Sequence, residues 1–301
     1  MSEFAGSLGG PIDEDGPRAG AGAGPRPAPG RPRAGGRPRP GTERPDPSES
    51  SGPSESSRTS GRRAPTADDL QIAGLTAMST VDWPGKLAAT VWCQGCPWNC
   101  PYCQNHAIID PTIPGVVDWA RVEDLLARRH GLLDAVVFSG GEATRQAALV
   151  DAARRVHEAG YLVGLHTAGP YPRRLAELLD TGLVDWVGID VKAMPGAGYE
   201  QVAGRQGAGD KAWESLRVVL DHRRVDHEVR LTVYPDGPAD GLEVARAVRA
   251  AGARRFALQQ ARALGAPDGF RASGVGWDDQ VQALARDIRA LGFESFEFRP
   301  A

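Results

Sequence analysis

The sequence has few cysteines and lysines and no long apolar run. Only four of its 301 residues are cysteines, and three lysines stand against 32 arginines. No apolar segment approaches the roughly 18 to 20 residues of a membrane-spanning helix, and the N-terminus lacks the apolar core of a signal peptide. The four cysteines all lie within residues 93–103, too close together to crosslink a chain of this length, so any shared role is a local site. We therefore expect a soluble, cytoplasmic protein.

The first 66 residues lack the composition of a folded domain. They contain 12 of the 24 prolines, 13 of the 38 glycines and a single aromatic residue, Phe4. Such a segment buries too little apolar surface to offset its ordering entropy, so residues 1–66 are predicted to be a disordered tail and residues 67–301 the folded domain. The tail has ten arginines against eight acidic residues, and the remainder has an acidic excess. Neither part has the charge of a nucleic-acid-binding protein.

From about Ala67, short β-rich apolar runs alternate with stretches of helical period, a pattern typical of β-α units around a parallel sheet. The predicted strands are Leu87–Trp92, Ala135–Phe138, Leu162–His166, Trp186–Val191, Glu228–Val233, Arg255–Leu258 and Ser295–Phe298. The predicted helices are Trp119–Arg129, Arg145–Ala159, Pro172–Asp180, Lys211–Asp221, Leu242–Ala251 and Asp278–Leu291. Six β-α units and a final strand fall short of the eight units of a closed barrel, so we expect an α/β fold with a partial, open β/α barrel. In the last helix, Asp278 or Asp279 is the predicted N-cap.

Three cysteines have the spacing of a ligand site directly after the first predicted strand. Cys96, Cys100 and Cys103 are separated by three and then two residues. Three soft thiolates suit an iron–sulfur cluster or zinc. A [4Fe–4S] cluster held by three cysteines keeps one iron open for a further ligand, whereas His106 would complete a closed Cys3His zinc site. The loop alone leaves both alternatives open, together with thiols that bind nothing, and Cys93 is predicted to be a buried thiol.

Polar residues follow the later strands at the points where they end. The residues concerned are Ser139, Gly140, Gly141 and Glu142, His166 and Thr167, Asp190 and Lys192, and Gln259 and Gln260. Parallel α/β folds build ligand sites at this carboxyl edge, and adjacent glycines allow backbone to approach a ligand closely. Lysine at position 192 also stands out in a chain that otherwise uses arginine. A structural zinc loop would make no demands on later strands, so the pattern favours a cluster with a bound cofactor.

These residues resemble the radical S-adenosylmethionine superfamily, whose signature loop has an aromatic residue before its last cysteine, here Tyr102. The surrounding segments 82–86 and 92–105 are similar to the activating proteins of anaerobic ribonucleoside-triphosphate reductase, a group of glycyl-radical-enzyme activases. The resemblance covers about residues 70 to 300. It implies that Cys96, Cys100 and Cys103 hold one [4Fe–4S] cluster, with S-adenosylmethionine on its fourth iron. The extra cysteines that some relatives use for auxiliary clusters are missing, which implies a single cluster.

The resemblance also implies roles at individual positions around the cofactor. Gly140, Gly141 and Glu142 match the motif that holds the methionine amino group, and Tyr102 lies where the loop meets adenine. Asp190 and Lys192 match a strand-end Asp-x-Lys that lines the cofactor pocket. His166 and Thr167 occupy a similar position after the third predicted strand.

The implied activity is installation of a glycyl radical on a partner enzyme. The partner would be anaerobic ribonucleoside-triphosphate reductase, and an external donor such as flavodoxin or ferredoxin would supply the electron. An open barrel leaves a lateral mouth through which a glycine-bearing loop can enter. One alternative is a radical S-adenosylmethionine enzyme acting on a small molecule, as in deazapurine or cofactor biosynthesis. An alternative of another class is a non-catalytic zinc-binding module.

Overall fold

A computed structural model describes residues 63–301, which form eight strands in one sheet and seven α-helices. The strands are β1 Ile72–Ser79, β2 Ala88–Cys93, β3 Ala135–Gly140, β4 Leu162–Thr167, β5 Trp186–Asp190, β6 Asp226–Val233, β7 Arg255–Gln260 and β8 Ser295–Arg299. They lie in the sheet in chain order. β1 pairs antiparallel with β2, and every later neighbour is parallel. β1 and β8 are the two edges, so the sheet is open.

Helices connect the parallel strands and cover one face of the sheet. They are α1 Trp119–Arg128, α2 Leu149–Glu158, α3 Pro172–Asp180, α4 Ala197–Ala203, α5 Ala208–Asp221, α6 Gly241–Ala250 and α7 Trp277–Arg289. None of the helices within residues 63–301 has the length and apolar character needed to cross a membrane.

The strands have a different composition on each face. On β6, Val229 and Leu231 are completely buried in the apolar core formed with the helices. Arg230 and Thr232, which alternate with these two residues along the strand, point to the concave face. We call this face the lumen, and both residues line its cavity. Because successive side chains of a strand point to opposite faces, the same strand supplies both the core and the lumen.

The partial, open β/α barrel expected from the sequence is confirmed, and all seven predicted strands occur with boundaries within two residues. Two elements were not predicted. β1 contains Gly74 and has little apolar alternation, and α4 is only seven residues long. Both elements owe their stability to packing on neighbours and therefore give weak local signals.

Three predicted helix starts are wrong, and one is that of α5, which begins at Ala208 and not at Lys211. α7 begins after Gly276, because the Asp278 carboxylate accepts a hydrogen bond from Gln260 Nε2 at 2.7 Å instead of capping the helix. α2 begins at Leu149, because residues 143–145 form a separate 3₁₀ turn. The tail predicted to be disordered lies outside the described residues except for 63–66.

Candidate active site

A cavity of about 720 Å³ lies in the lumen at the carboxyl edge of the sheet. It gathers ten of the eleven predicted site residues: Cys96, Cys100, Tyr102, Cys103, Gly140, Gly141, His166, Thr167, Asp190 and Lys192. The eleventh, Glu142, is buried behind the lining. The carboxyl ends of four successive parallel strands thus meet at one place, as the sequence predicted.

Main-chain hydrogen bonds hold the cysteine loop against its surroundings. Gly95 N and Cys96 N donate to Ile108 O and Ile109 O, each at 2.8 Å. On the other side, Asn99 N donates to Ala203 O of α4 at 2.9 Å. The loop is therefore anchored on two sides by its own backbone.

The three thiols that line the cavity are free of disulfides. Burial and then the nearby Glu142 carboxylate raise the pKa of Cys96 to about 12, and burial also raises the pKa values of Cys100 and Cys103. Without a metal these thiols are protonated at neutral pH, and a bound cation would reverse that preference. Three thiols facing one cavity form a donor set that fits an iron–sulfur cluster.

Cys93 and His106 lie apart from this donor set. Cys93 is completely buried in the apolar core, and neither residue lines the cavity. His106 Nδ1 is buried without a hydrogen-bond partner among the described residues. Within residues 63–301, no group of three or more His, Cys, Asp or Glu side chains is arranged to hold a metal ion, and this includes the three thiols of the cavity.

The two glycines at the end of β3 line the cavity and also lie against the segment that leads into the cysteine loop. A Cβ at Gly140, which has φ +112°, would lie 2.2 Å from Cys93 N. A Cβ at Gly141 would lie 2.5 Å from Gly95 O. Asn105 Nδ2 also donates to Gly140 O at 3.0 Å. These contacts place the loop directly on the end of β3, and only glycine permits that approach.

The Glu142 carboxylate connects the ends of β3 and β4. It accepts hydrogen bonds from Thr144 N at 3.2 Å, Thr167 Oγ1 at 2.8 Å and Ala168 N at 3.0 Å. Burial raises its pKa although these donors favour the charged form. Since the carboxylate is absent from the cavity lining, it positions Thr167 and Ala168 from behind.

Asp190 and Lys192 form an ion pair at the end of β5. Lys192 Nζ donates to Asp190 Oδ2 at 3.0 Å and lies 5.4 Å from the centroid of the Tyr102 ring. Burial opposes the lysine charge, but the neighbouring Asp190 and tyrosines raise the pKa of Lys192 well above its usual value. The hydroxyls of Tyr102 and Tyr199 are buried without hydrogen-bond partners among the described residues.

A buried charge network in the lumen was not predicted. Arg230 Nε donates to Glu228 Oε1 at 2.7 Å, and both nitrogens of the Arg299 fork reach the Glu228 carboxylate at 3.0 and 2.9 Å. His166 Nδ1 lies 3.1 Å from Ser139 Oγ, and its Nε2 lies 2.6 Å from Asp82 O. Arg230 Nη1 also approaches His166 Nε2 at 3.0 Å. The only sequence signal was the alternation of charged and apolar residues along β6.

Comparisons with known proteins identify a family and two partial relatives. The sequence model of the Radical SAM superfamily matches residues 90–248, more than half of the chain. A protein of Methanocaldococcus jannaschii, named as a candidate glycyl-radical enzyme activating enzyme, is 37% identical over 123 residues, covering 40% of this chain and 50% of the relative. The PqqA peptide cyclase of Bradyrhizobium diazoefficiens is 32% identical over 167 residues, covering 50% of this chain and 43% of the cyclase. The chain thus spans about half the length of these curated relatives.

The fold has relatives among solved structures. A radical SAM methyltransferase from Sphaerobacter thermophilus superposes with a TM-score of 0.56 at 18% identity, covering 73% of this chain and 67% of the methyltransferase. At that identity the likeness concerns the fold alone. The family match extends from β2 through α6 and includes all eleven predicted site residues. The chain therefore belongs to the radical SAM superfamily, whose enzymes use a [4Fe–4S] cluster and S-adenosylmethionine.

Proposed function

We propose that this radical SAM enzyme installs a glycyl radical on a partner enzyme, specifically on anaerobic ribonucleoside-triphosphate reductase. The observation that carries the proposal is the 37% identity over 123 residues to the candidate activating enzyme. The activating-protein context of segments 82–86 and 92–105 supports it from the sequence.

The open sheet supports a macromolecular substrate. Residues from both edges line the cavity: Thr80 and Pro84 follow β1, and Arg299 and Ala301 lie at the end of β8. No strand ladder joins β1 to β8 within residues 63–301, so the lumen is reachable from the side. Thr232 and Gln259 line the same space and can hydrogen-bond the backbone of an extended segment that enters there.

In this proposal Cys96, Cys100 and Cys103 would hold the cluster. Around the bound S-adenosylmethionine would lie Tyr102, Gly140, Gly141, His166, Thr167, Asp190 and Lys192, with Glu142 holding Thr167 in place. When bound, this pair of cofactors supplies a one-electron cleavage of a carbon–sulfur bond and, from it, a carbon radical able to take a hydrogen atom. The protein binds, orients and excludes water, because the cofactors carry the chemistry.

The glycine α-carbon is a suitable hydrogen donor for this chemistry. The resulting radical is stabilised by the flanking amides, and glycine has no side chain to obstruct its approach to the site. The buried Glu228–Arg230–Arg299 network would form the rigid far wall against which the entering loop is positioned. A wall whose charges are already paired imposes little reorganisation at the moment of reaction.

The experiment uses a purified reductase labelled with deuterium at its glycine α-carbons. After anoxic reconstitution, the protein should contain about four iron per chain and absorb near 400 nm, as [4Fe–4S] proteins do. With dithionite and S-adenosylmethionine, the mixture should give a glycyl radical signal by electron spin resonance and transfer deuterium into 5′-deoxyadenosine. Cleavage of S-adenosylmethionine without either signal would show that this reductase is not the substrate.

A peptide substrate is the second candidate, favoured by the similarity to the PqqA peptide cyclase over half of the chain. The same lateral opening would admit a peptide. Mass spectrometry of a peptide substrate would show a new intramolecular bond, while the glycyl radical signal would be absent. The two candidates therefore give mutually exclusive products.

A further inference from the structure

Three arginines form a cationic patch beside the cysteine loop, at Arg145 and at the start of α3. Arg174 Nη1 donates to Arg145 O at 2.5 Å, and the Arg174 guanidinium lies 5.0 Å from the centroid of the Tyr171 ring. We call Arg145, Arg173 and Arg174 the arginine patch. Within residues 63–301, none of the three forms an ion pair with a carboxylate.

The position of two of these arginines is unfavourable for the local structure. Arg173 and Arg174 occupy the first turn of α3, and no acidic residue accompanies them there. The N-terminus of a helix carries partial positive charge, so it favours acidic residues and disfavours cations. Two adjacent arginines at this point therefore need a reason other than the stability of α3.

The patch lies close to the predicted cluster ligands but outside the cavity. A Cβ on Gly95, the residue before Cys96, would lie 3.2 Å from Arg145 Nη1. None of the three arginines lines the cavity, so none is needed to enclose S-adenosylmethionine. The patch thus adjoins the cysteine loop outside the cavity.

We propose that the arginine patch is the docking surface for an acidic one-electron donor protein of the flavodoxin type. The inference rests on the proposed function only in requiring an external electron. Each cleavage of S-adenosylmethionine consumes one electron from the donor, breaks one carbon–sulfur bond and yields methionine and, after uptake of a hydrogen atom, 5′-deoxyadenosine. A donor docked here brings its flavin close to the cysteine loop from outside the cavity, which stays free for the substrate. Complementary charge steers such encounters and sets their rate.

The test reverses two charges of the patch in the full, cofactor-loaded chain. Arg173→Glu combined with Arg174→Glu should weaken the binding of an oxidised flavodoxin about tenfold at low salt, measured by calorimetry. Added salt should weaken wild-type binding and reduce the difference between the two proteins. The melting temperature of the variant should be unchanged or higher, because acidic residues suit the first turn of a helix. The matched control, Arg246→Glu with Arg286→Glu on exposed positions of α6 and α7, should retain wild-type affinity.

Activity measurements separate docking from chemistry. The patch variant should lose most flavodoxin-driven cleavage of S-adenosylmethionine and keep the dithionite-driven reaction. Equal flavodoxin affinity in variant and wild type would overturn the proposal, as would an equal loss in the control variant. If the variant instead binds the reductase more weakly and flavodoxin normally, the patch serves the substrate and the proposal is wrong. A missing glycyl radical with intact, patch-dependent cleavage would refute the proposed function alone.

Discussion

The two faces of β6 differ in what they contribute to the protein. Val229, Leu231 and Val233 face the helices and are buried among apolar side chains. Glu228 and Arg230 face the lumen and are equally buried, but as charges. Apolar burial stabilises the fold directly, whereas buried charges are costly unless paired and hydrogen-bonded. The outer face therefore holds the barrel together, and the inner face maintains a polar site at the expense of stability.

Glycines on the neighbouring strands make the inner face possible. A Cβ at Gly188 of β5 would lie 2.9 Å from the Arg230 guanidinium carbon. A Cβ at Gly164 of β4 would lie 2.8 Å from the Trp83 ring, which stacks on Trp186 at 5.2 Å between centroids. Arg230 and Trp83 thus extend over strands at positions that have no side chain. The inner face is thus filled by a few large residues rather than by even layers of aliphatic ones.

The largest expected effect comes from replacing a cysteine of the cavity, Cys100, and comparing the result with replacement of a cysteine of the apolar core, Cys93. Cys100→Ala should abolish cleavage of S-adenosylmethionine and most iron binding, because its thiol faces the cavity. Cys93→Ala, in the apolar core, should retain the iron and lower only the stability. Iron per chain and absorbance near 400 nm after anoxic reconstitution provide the measurement. Loss of iron in Cys93→Ala would mean that the ligand set is wrongly assigned.

Glu228→Gln tests the inner face by removing the carboxylate shared by two arginines. The change leaves Arg230 without a counter-ion in a buried position, while Arg299 retains its contact with Glu297. Breaking a buried ion pair from one side costs about 4 kcal/mol of unfolding free energy. Urea denaturation measures the loss. A loss below about 1 kcal/mol, the range of exposed pairs, would show that water screens this network and that the lumen is wet.

Leu231→Ala tests the outer face of the same strand. The side chain is completely buried, so its truncation should cost about 3 kcal/mol of unfolding free energy through lost transfer energy and the cavity created. Dithionite-driven cleavage should continue at temperatures where the variant remains folded. A specific loss of activity in folded Leu231→Ala would contradict the division of labour between the two faces.

The sequence predicted the outer face well and the inner face only in part. Apolar runs located seven strands, because burial against helices leaves a strong pattern in Val, Ile and Leu. Strand-end residues such as Asp190 and Lys192 were also located, since parallel strands bring their carboxyl ends together. The Glu228–Arg230–Arg299 network was missed. Glu228 and Arg230 lie on one strand, but Arg299 is 69 to 71 residues away from them along the chain, and the curved sheet brings it close. Likewise, nothing in the sequence showed that Gly141, besides lining the cavity, lies against the segment before the cysteine loop.

The smallest expected effect concerns His166. Its imidazole lines the lumen, as the charged residues do, but it is uncharged, as the apolar residues of the outer face are. Burial, followed by the nearby Arg230 charge, lowers the pKa of His166 well below its ordinary value of 6.5. The unfolded chain therefore takes up a proton near pH 6.5 that the folded protein does not accept, so stability is lost as the pH falls below that value. The slope is about 1.4 kcal/mol per pH unit for one such group.

Urea denaturation of the wild type and of His166→Gln between pH 7 and pH 5 isolates this contribution. His227, whose pKa is also lowered by burial, is present in both proteins and cancels in the difference. The wild type should lose more stability than the variant on acidification, by about 1.4 kcal/mol for each pH unit below 6.5. Parallel curves would mean that the folded protein protonates His166 as readily as the unfolded chain. The Arg230 guanidinium would then have to move away from His166 Nε2, and the inner wall of the lumen would adjust to charge instead of holding it fixed.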